Sequence, residues 1–273
     1  MSSCSKFHSK YAAEYSLFEN KNTNVFVGRR KRDRSLVAIK FFRVSCYKDY
    51  LRGNIPNEAF NQKKAGKIKV QNGRGSVLKM LDWYVYKKHI VFVTEYDSNF
   101  TKTLFDSTRD QPEGRFTEEE CRVIFKLLLE LVLKMNESGT FHLDLKPQNV
   151  LYDMKRREIK LIDFGHADSC GKGENPLVDT NAGTEGLQTP QQVENADCYG
   201  RDCDLWGVGQ ILYFCANSDY AFDDDTDVLS KKLEFHEGVS GELRDLLKRM
   251  LCRDVRGRIG AKEIFNHPWM TEE

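Results

Sequence analysis

One long stripe of apolar residues at helical spacing lies near the middle of the chain and divides it. Thr117, with Glu120 three residues on, reads as a capping box, and Cys121, Val123, Ile124, Leu127, Leu128, Leu131, Val132 and Met135 then share one face. Such a helix must be covered, and the residues on its two sides differ in kind. Upstream, Val25 to Val27 and Leu36 to Phe42 read as strands joined by the charged turn Arg29-Arg-Lys-Arg-Asp33, with a further pair at Val77 to Tyr86 and His89 to Glu95. Between them Pro56 and Gly66 bracket a helix over Asn57 to Ala65. Downstream, Asp204 to Cys215 and Glu242 to Leu251 have helical character. The expectation is a single α+β, bilobal domain over 1–273. A small β-rich lobe with one helix (about 11–94) is followed by a hinge (95–98) and a larger, mostly helical lobe (99–273).

Composition narrows the classes without choosing among them. With 273 residues, 40% hydrophobic and 30% charged, and only 19 Gly and 6 Pro, the chain can build a packed core. Its 42 Lys+Arg nearly balance 41 Asp+Glu, which argues against a surface that is wholly a nucleic-acid footprint and leaves local patches open. The eight cysteines (Cys4, Cys46, Cys121, Cys170, Cys198, Cys203, Cys215, Cys252) show no C-x-x-C spacing and read as reduced thiols rather than a disulfide framework or zinc site. No leader and no membrane-length apolar run stands out, so the expected compartment is cytoplasm or nucleus.

Chemistry concentrates after the long helix. Phe141-His-Leu-Asp-Leu-Lys-Pro-Gln-Asn-Val150 offers Asp144, Lys146 and Asn149 on one short loop, and Leu161-Ile-Asp-Phe-Gly165 ends an apolar strand in Asp163. Phosphoryl transfer from a magnesium nucleotide needs this set: a carboxylate to orient the hydroxyl, an amide and a carboxylate for the metal, and a cation for the γ-phosphate. Upstream, Val37-Ala-Ile-Lys40 puts a lysine on a strand where it can clamp α- and β-phosphates, with Glu58 on the following helix to fix it.

In their order these motifs, with Asp202-Cys-Asp-Leu-Trp-Gly207, Arg258 and His267-Pro-Trp269, resemble the eukaryotic-type protein kinases over nearly the whole chain. Ile55-Pro-Asn-Glu58, Leu81-Asp-Trp83, Lys160-Leu-Ile-Asp-Phe-Gly165 and Asn266-His-Pro-Trp-Met270 are similar to the PIM-like members of the calcium/calmodulin-kinase branch. The compact length also resembles the late protein kinases of baculoviruses. The resemblance implies the bilobal kinase fold, ATP and Mg²⁺ (or Mn²⁺) as cofactors, and protein substrates phosphorylated on Ser or Thr. It implies that Asp144 orients the hydroxyl, Lys146 stabilises the phosphoryl group, Asn149 and Asp163 bind the metal, and Lys40 held by Glu58 positions ATP. Thr94 takes the gatekeeper place, with Glu95, Tyr96 and Asp97 as the adenine-facing hinge. Lys146 together with Thr184, in Gly183-Thr184, resembles the Ser/Thr rather than the Tyr class.

The sequence departs from that pattern in four places. Counting back from Lys40, Val25 takes the valine place of the glycine-rich loop, and its three glycine places fall on Phe18, Asn20 and Thr23. Asn20, Asn22 and Asn24 tolerate positive φ, and Lys21 could bring a charge to phosphate, so weaker nucleotide binding is expected rather than none. Leu143 replaces the arginine that grips a phosphorylated activation loop, so activity should not depend on such a phosphate. Thr189-Pro-Gln191 replaces Ala-Pro-Glu, leaving Arg258 an amide or another acid as partner. Gln148 replaces a glutamate that receives substrate arginine in basophilic relatives.

Asp106 and the run Asp219, Asp223, Asp224, Asp225 and Asp227 read either as a solvated acidic surface or as a field steering Arg/Lys-rich protein substrates. The basic run at 29–34 reads as an exposed turn, with an import signal or a polyanion contact as the functional alternative. The favoured reading is a constitutively active serine/threonine kinase of basic proteins, with a viral late-phase role one version of it. Its rival is a pseudokinase scaffold with a decayed nucleotide loop. Direct nucleic-acid binding is open, and no membrane partner is expected.

Overall fold

The computed structural model describes residues 3–44, 51–86 and 88–271. Five antiparallel strands form the small lobe: β1 (Tyr11–Glu19), β2 (Thr23–Arg30), β3 (Leu36–Arg43), then β5 (Met80–Tyr86) and β6 (His89–Glu95), in the order β1-β2-β3-β6-β5. Period-two alternation sends Ala38, Lys40 and Phe42 to the cleft side of β3 and Val37, Ile39 and Phe41 to the other. The helix between the strands, α2 (Asn57–Ala65), follows Pro56 and stops at Gly66, as the two residues suggest.

Two further elements belong to this lobe. Helix α1 (Ser3–Lys10) lies on the outer sheet face, where Phe7 meets Phe41 and Tyr84 edge-on, at ring-centre distances of 5.8 and 5.5 Å. β1 follows it, paired from Tyr11↔Arg30 to Glu19↔Asn24. The expected strand from Val77 to Tyr86 is two strands. β4 (Gly75–Val77) pairs in parallel with β8 (Glu158–Leu161) of the large lobe, next to β7 (Val150–Asp153), whereas Met80–Tyr86 stays in the small-lobe sheet. Apolar alternation does not say which sheet a strand joins, and the fully buried Gly-Ser-Val segment fits beneath the large lobe.

The large lobe is built around α4 (Glu118–Glu137), with ten of its residues buried, packed on α5 (Gly200–Asn217) and reached by α7 (Gly241–Met250). Thr117 caps α4 through Glu120 N, but the capping box is one-sided: the Glu120 carboxylate turns to Arg157 (3.1 Å) and to the Tyr152 hydroxyl. The C-terminal His-Pro-Trp closes the lobe, since Trp269 Nε1 donates to Glu118 Oε2 at 2.8 Å and Arg122 donates to Trp269 O. No helix among the described residues is long and apolar enough to cross a membrane. Cys121, Cys170, Cys198, Cys203, Cys215 and Cys252 are free thiols, four of them buried; Cys46 and the Cys4 side chain lie outside the described residues.

Candidate active site

Between the lobes lies a cavity of about 930 Å³. On its small-lobe wall Lys40 Nζ donates to Glu58 Oε1 (3.0 Å) and Asp163 Oδ1 (3.1 Å), so strand, helix and metal-loop carboxylate meet at one ammonium. Burial opposes the Lys40 charge, yet the two carboxylates outweigh it and hold the ammonium above its ordinary range. Burial pushes Glu58 up to about 7 against the pull of Lys40. For Asp163 burial also acts upward, but Lys40 prevails and keeps it below the usual carboxylate range.

The opposite wall is the catalytic loop. Asp144 accepts from Thr184 Oγ1 through Oδ1 (2.6 Å), faces Lys146 Nζ through Oδ2 (2.8 Å), and accepts Asn149 Nδ2 on both its backbone carbonyl (2.8 Å) and Oδ2 (3.1 Å). Lys146 Nζ also donates to Thr184 Oγ1 at 2.7 Å. Gly183 allows this close approach, because a β-carbon there would stand 2.9 Å from Leu143 O and the backbone has φ +99. Beneath the loop, buried Asp204 accepts the backbone N–H groups of His142 and Leu143 and the Asn136 amide, which fixes the strained turn at Leu143 (φ 62). The sequence motif around Asp204 was visible, but its role as an anchor was not.

The structure also brings Val25, Thr94, Glu95, Tyr96 and Asp97 to the cavity. Glu95 pairs with Lys160 at 3.0 Å, and Asp97 is held below its usual range mainly by the Asn99 backbone N–H. The donor set fits a magnesium nucleotide: Asp163 gives a carboxylate, and Asn149, with its Nδ2 committed to Asp144, retains Oδ1. Among the described residues no cluster of three or more His, Cys, Asp or Glu side chains could hold a metal alone.

The nucleotide loop is a tight β1–β2 hairpin. Asn20 Oδ1 accepts from the backbone N–H groups of Asn22 (2.9 Å) and Thr23 (2.7 Å), closing the turn without positive φ at Asn20, Asn22 or Asn24. Phe18 and Thr23 line the nucleotide cavity, while Lys21, Asn22 and Asn24 line a separate depression on the outer sheet face. Asn20 therefore acts through side-chain capping rather than left-handed backbone, and Lys21 does not line the cleft.

Leu143 is buried with Phe141, Cys198 and Cys203, and Cys170, Val178 and Ala182 pack against them. Leu143 is thus enclosed by apolar side chains. Arg258 finds the amide: its Nη2 donates to Gln191 Oε1 at 2.8 Å while the guanidinium lies over Trp206.

At the substrate end Gln148 Nε2 donates to Tyr220 OH (2.5 Å), and Gln148 Oε1 is buried without a partner. Asp106 and Asp223 line the cavity, although Asp106 also caps α3 (Leu104–Arg109) and Asp223 pairs with Lys231 at 2.9 Å. Asp224 caps α6 (Asp225–Ser230), Asp227 faces Lys231 (3.2 Å), Asp225 accepts Gly186 N, and Asp219 accepts Tyr220 N. Those four do not line the cavity. Glu185, which sequence reasoning passed over, does, and its only signal was its place next to Thr184.

A strand lysine paired to a helix glutamate, facing an Asp-Lys-Asn loop across an interlobe cleft, is the site of a protein kinase. The chain belongs to that family: the protein kinase domain matches residues 19–270. It is 28% identical to serine/threonine-protein kinase prk-2 of Caenorhabditis elegans over 98% of this chain and 60% of that protein. It is 26% identical to serine/threonine-protein kinase pim-2 of Danio rerio over 91% of this chain and 81% of the relative. The chain thus spans about six tenths of the nematode kinase's length. In fold it matches the Cydia pomonella granulovirus kinase PK-1, with TM-score 0.77 and 23% identity, covering 98% of this chain and 97% of that one.

Proposed function

We propose that the protein is a serine/threonine kinase that moves the γ-phosphoryl group of ATP onto basic proteins and needs no activation-loop phosphate. The observation that carries this reading is the assembled pair of networks, Glu58–Lys40–Asp163 and Thr184–Asp144–Lys146 with Asn149, on facing walls of one cavity. A scaffold has no chemical need for them together. Magnesium ATP, when bound, supplies the phosphoryl group and screens its charge. Lys40 positions the nucleotide, Asp163 and Asn149 hold the metal, Asp144 accepts the hydroxyl proton at a carboxylate oxygen, and Lys146 meets charge at the transferring group. Basic substrates are favoured by Asp106, Glu185 and Asp223 at the substrate end, with Gln148 replacing a tight arginine subsite by a neutral one. The likeness to a granulovirus kinase supports a viral version of this role.

Transfer of labelled phosphate from ATP to an Arg/Lys-rich acceptor should require Mg²⁺ and fall at least about a hundredfold in Lys40→Met and Asp163→Ala. Rates equal in wild type and variants would assign the activity to a contaminant, and none in folded wild type would favour the scaffold. Charge steering adds a steep loss of kcat/KM with salt, because screening lengths are about 8–10 Å near physiological ionic strength.

A further inference from the structure

The net charge of +1 conceals a division between the lobes. Residues 1–95 carry 20 Lys+Arg against 7 Asp+Glu, and residues 96–273 carry 22 against 34. The small lobe is therefore a polycation and the large lobe a polyanion. Of the small-lobe cations the cleft uses Lys40, and others are held in ion pairs, such as Lys10 with Asp82 and Arg29 with Glu14.

Several of them share the outer face of the sheet. The alternation that points Lys40 into the cleft puts Phe41 and Arg43 on the opposite side, where the strand register sets Asn24 against Phe41 and Arg43 against His89. A depression of about 440 Å³ opens there, bordered by Lys21, Asn24, Phe26, Phe41, Arg43 and His89. The half-buried Phe26 and Phe41 rings meet edge-on at 5.7 Å. Lys21 and Arg43 are exposed and form no ion pair among the described residues. At the far end of the same strands, Lys31, Arg32 and Arg34 are exposed in the β2–β3 turn. The eight residues of β2 separate the two basic groups by roughly 24 Å at ~3.4 Å per residue. Some acids lie nearby: Glu14 is taken by Arg29 (2.8 Å), Asp33 is shared by Arg30 and Arg32, and exposed Glu19 stands in register with Asn24, which leaves Lys21, Lys31, Arg34 and Arg43 as cations outside any ion pair among the described residues.

We propose that the outer face of the small-lobe sheet binds single-stranded nucleic acid, with phosphates on Lys21, Arg43 and the Lys31–Arg34 turn and an unstacked base in the Phe26–Phe41 depression. Cations that follow a backbone, with aromatic rings between them on a sheet, are what sequence-tolerant single-strand binding requires. A duplex would meet the charges but keep its bases from the rings, and an acidic peptide would bring no ring to fill the depression. The site lies on the face of the sheet away from the cleft, so a bound strand leaves the cleft open, and basic proteins gathered on that strand would meet the acidic lobe beside it.

The test is fluorescence anisotropy of the full chain with 5′-fluorescein-labelled oligo-dT of 20 nucleotides. If four phosphates are neutralised, the salt slope is about −2.8, an affinity loss of about 50-fold between 50 and 200 mM salt. The triple variant Arg32→Glu, Arg34→Glu, Arg43→Glu should bind at least tenfold more weakly. Arg249→Glu, Arg256→Glu, Lys262→Glu makes the same change in net charge on the exposed large lobe and should weaken binding less than twofold. Phe26→Leu should cost several-fold for oligo-dT, with an unchanged salt slope and no effect on duplex DNA. Absence of salt-dependent binding, equal loss in the two triple variants, preference for duplex with Phe26→Leu silent, or displacement by poly-glutamate as effective per charge as by oligo-dT would each overturn the proposal.

Discussion

In the proposed reaction the β1–β2 hairpin covers the nucleotide and the catalytic loop faces it from beneath, and the two are built to different standards. In the catalytic loop His142, Asp144 and Asn149 are buried, the side chains of these three are hydrogen-bonded, and Asp204 clamps the backbone from below. In the hairpin Leu17 and Phe18 are about half exposed, the glycine places hold side chains, and one asparagine cap closes the turn. The part that performs chemistry is over-determined, whereas the part that only covers the nucleotide is held by local contacts. Binding contacts made equally in ground and transition states lower KM without raising kcat, so the hairpin could lose its glycines at little cost to the chemical step.

The sharpest way to stress the over-determined side is through Glu58. Its carboxyl sits near 7 because burial disfavours the charge, so acidification from pH 8 to pH 6 should protonate it, release Lys40 and lower transfer about tenfold. The sign for stability is opposite. A carboxyl whose folded pKa lies above its ordinary 4.5 contributes stability below 4.5 that is lost as pH climbs towards 7, so Tm should rise slightly while activity falls. Glu58→Gln should be slow and flat over this range. A wild-type profile equally flat would detach Glu58 from the rate.

Changes in the hairpin should act on binding alone. Phe18→Gly with Thr23→Gly, which spares the Asn20 cap, should lower KM for ATP about three- to fivefold and move kcat less than twofold. A larger change in kcat would mean that the hairpin also shapes the transition state. The smallest effect is expected from phosphatase treatment, which should leave the initial rate within about twofold, because Leu143, buried in an apolar cluster, carries no charge to pair with a phosphate. A large drop restored by incubation with ATP would contradict that.

Legibility followed the same division. Helix α2, β6, the long helix and the constellation of Lys40, Glu58, Asp144, Asn149 and Asp163 could be read from residue type and spacing, because each has one local meaning. Helix α1 gives little local signal because its hold on the sheet is long-range: Phe7 packs on rings 34 and 77 positions away, and Lys10 pairs with Asp82. β1 was missed because all but Tyr11 is exposed and leaves no apolar alternation. The acidic run looked uniform in sequence, yet helix capping and Lys231 take up much of it, and only Asp223 of its five reaches the cavity. The separation of charge between the lobes was present in the sequence and invisible in its sum.

A loosely held nucleotide cover above a firmly held catalytic loop implies weak ATP binding together with competent chemistry. Titrating ATP into the purified chain, in parallel with labelled-phosphate transfer by wild type and Asp144→Asn, separates the two. The prediction is loose ATP binding, nearly the same in both proteins, with transfer by wild type and a loss of at least about a hundredfold in Asp144→Asn. Firm ATP binding without transfer by wild type would contradict it.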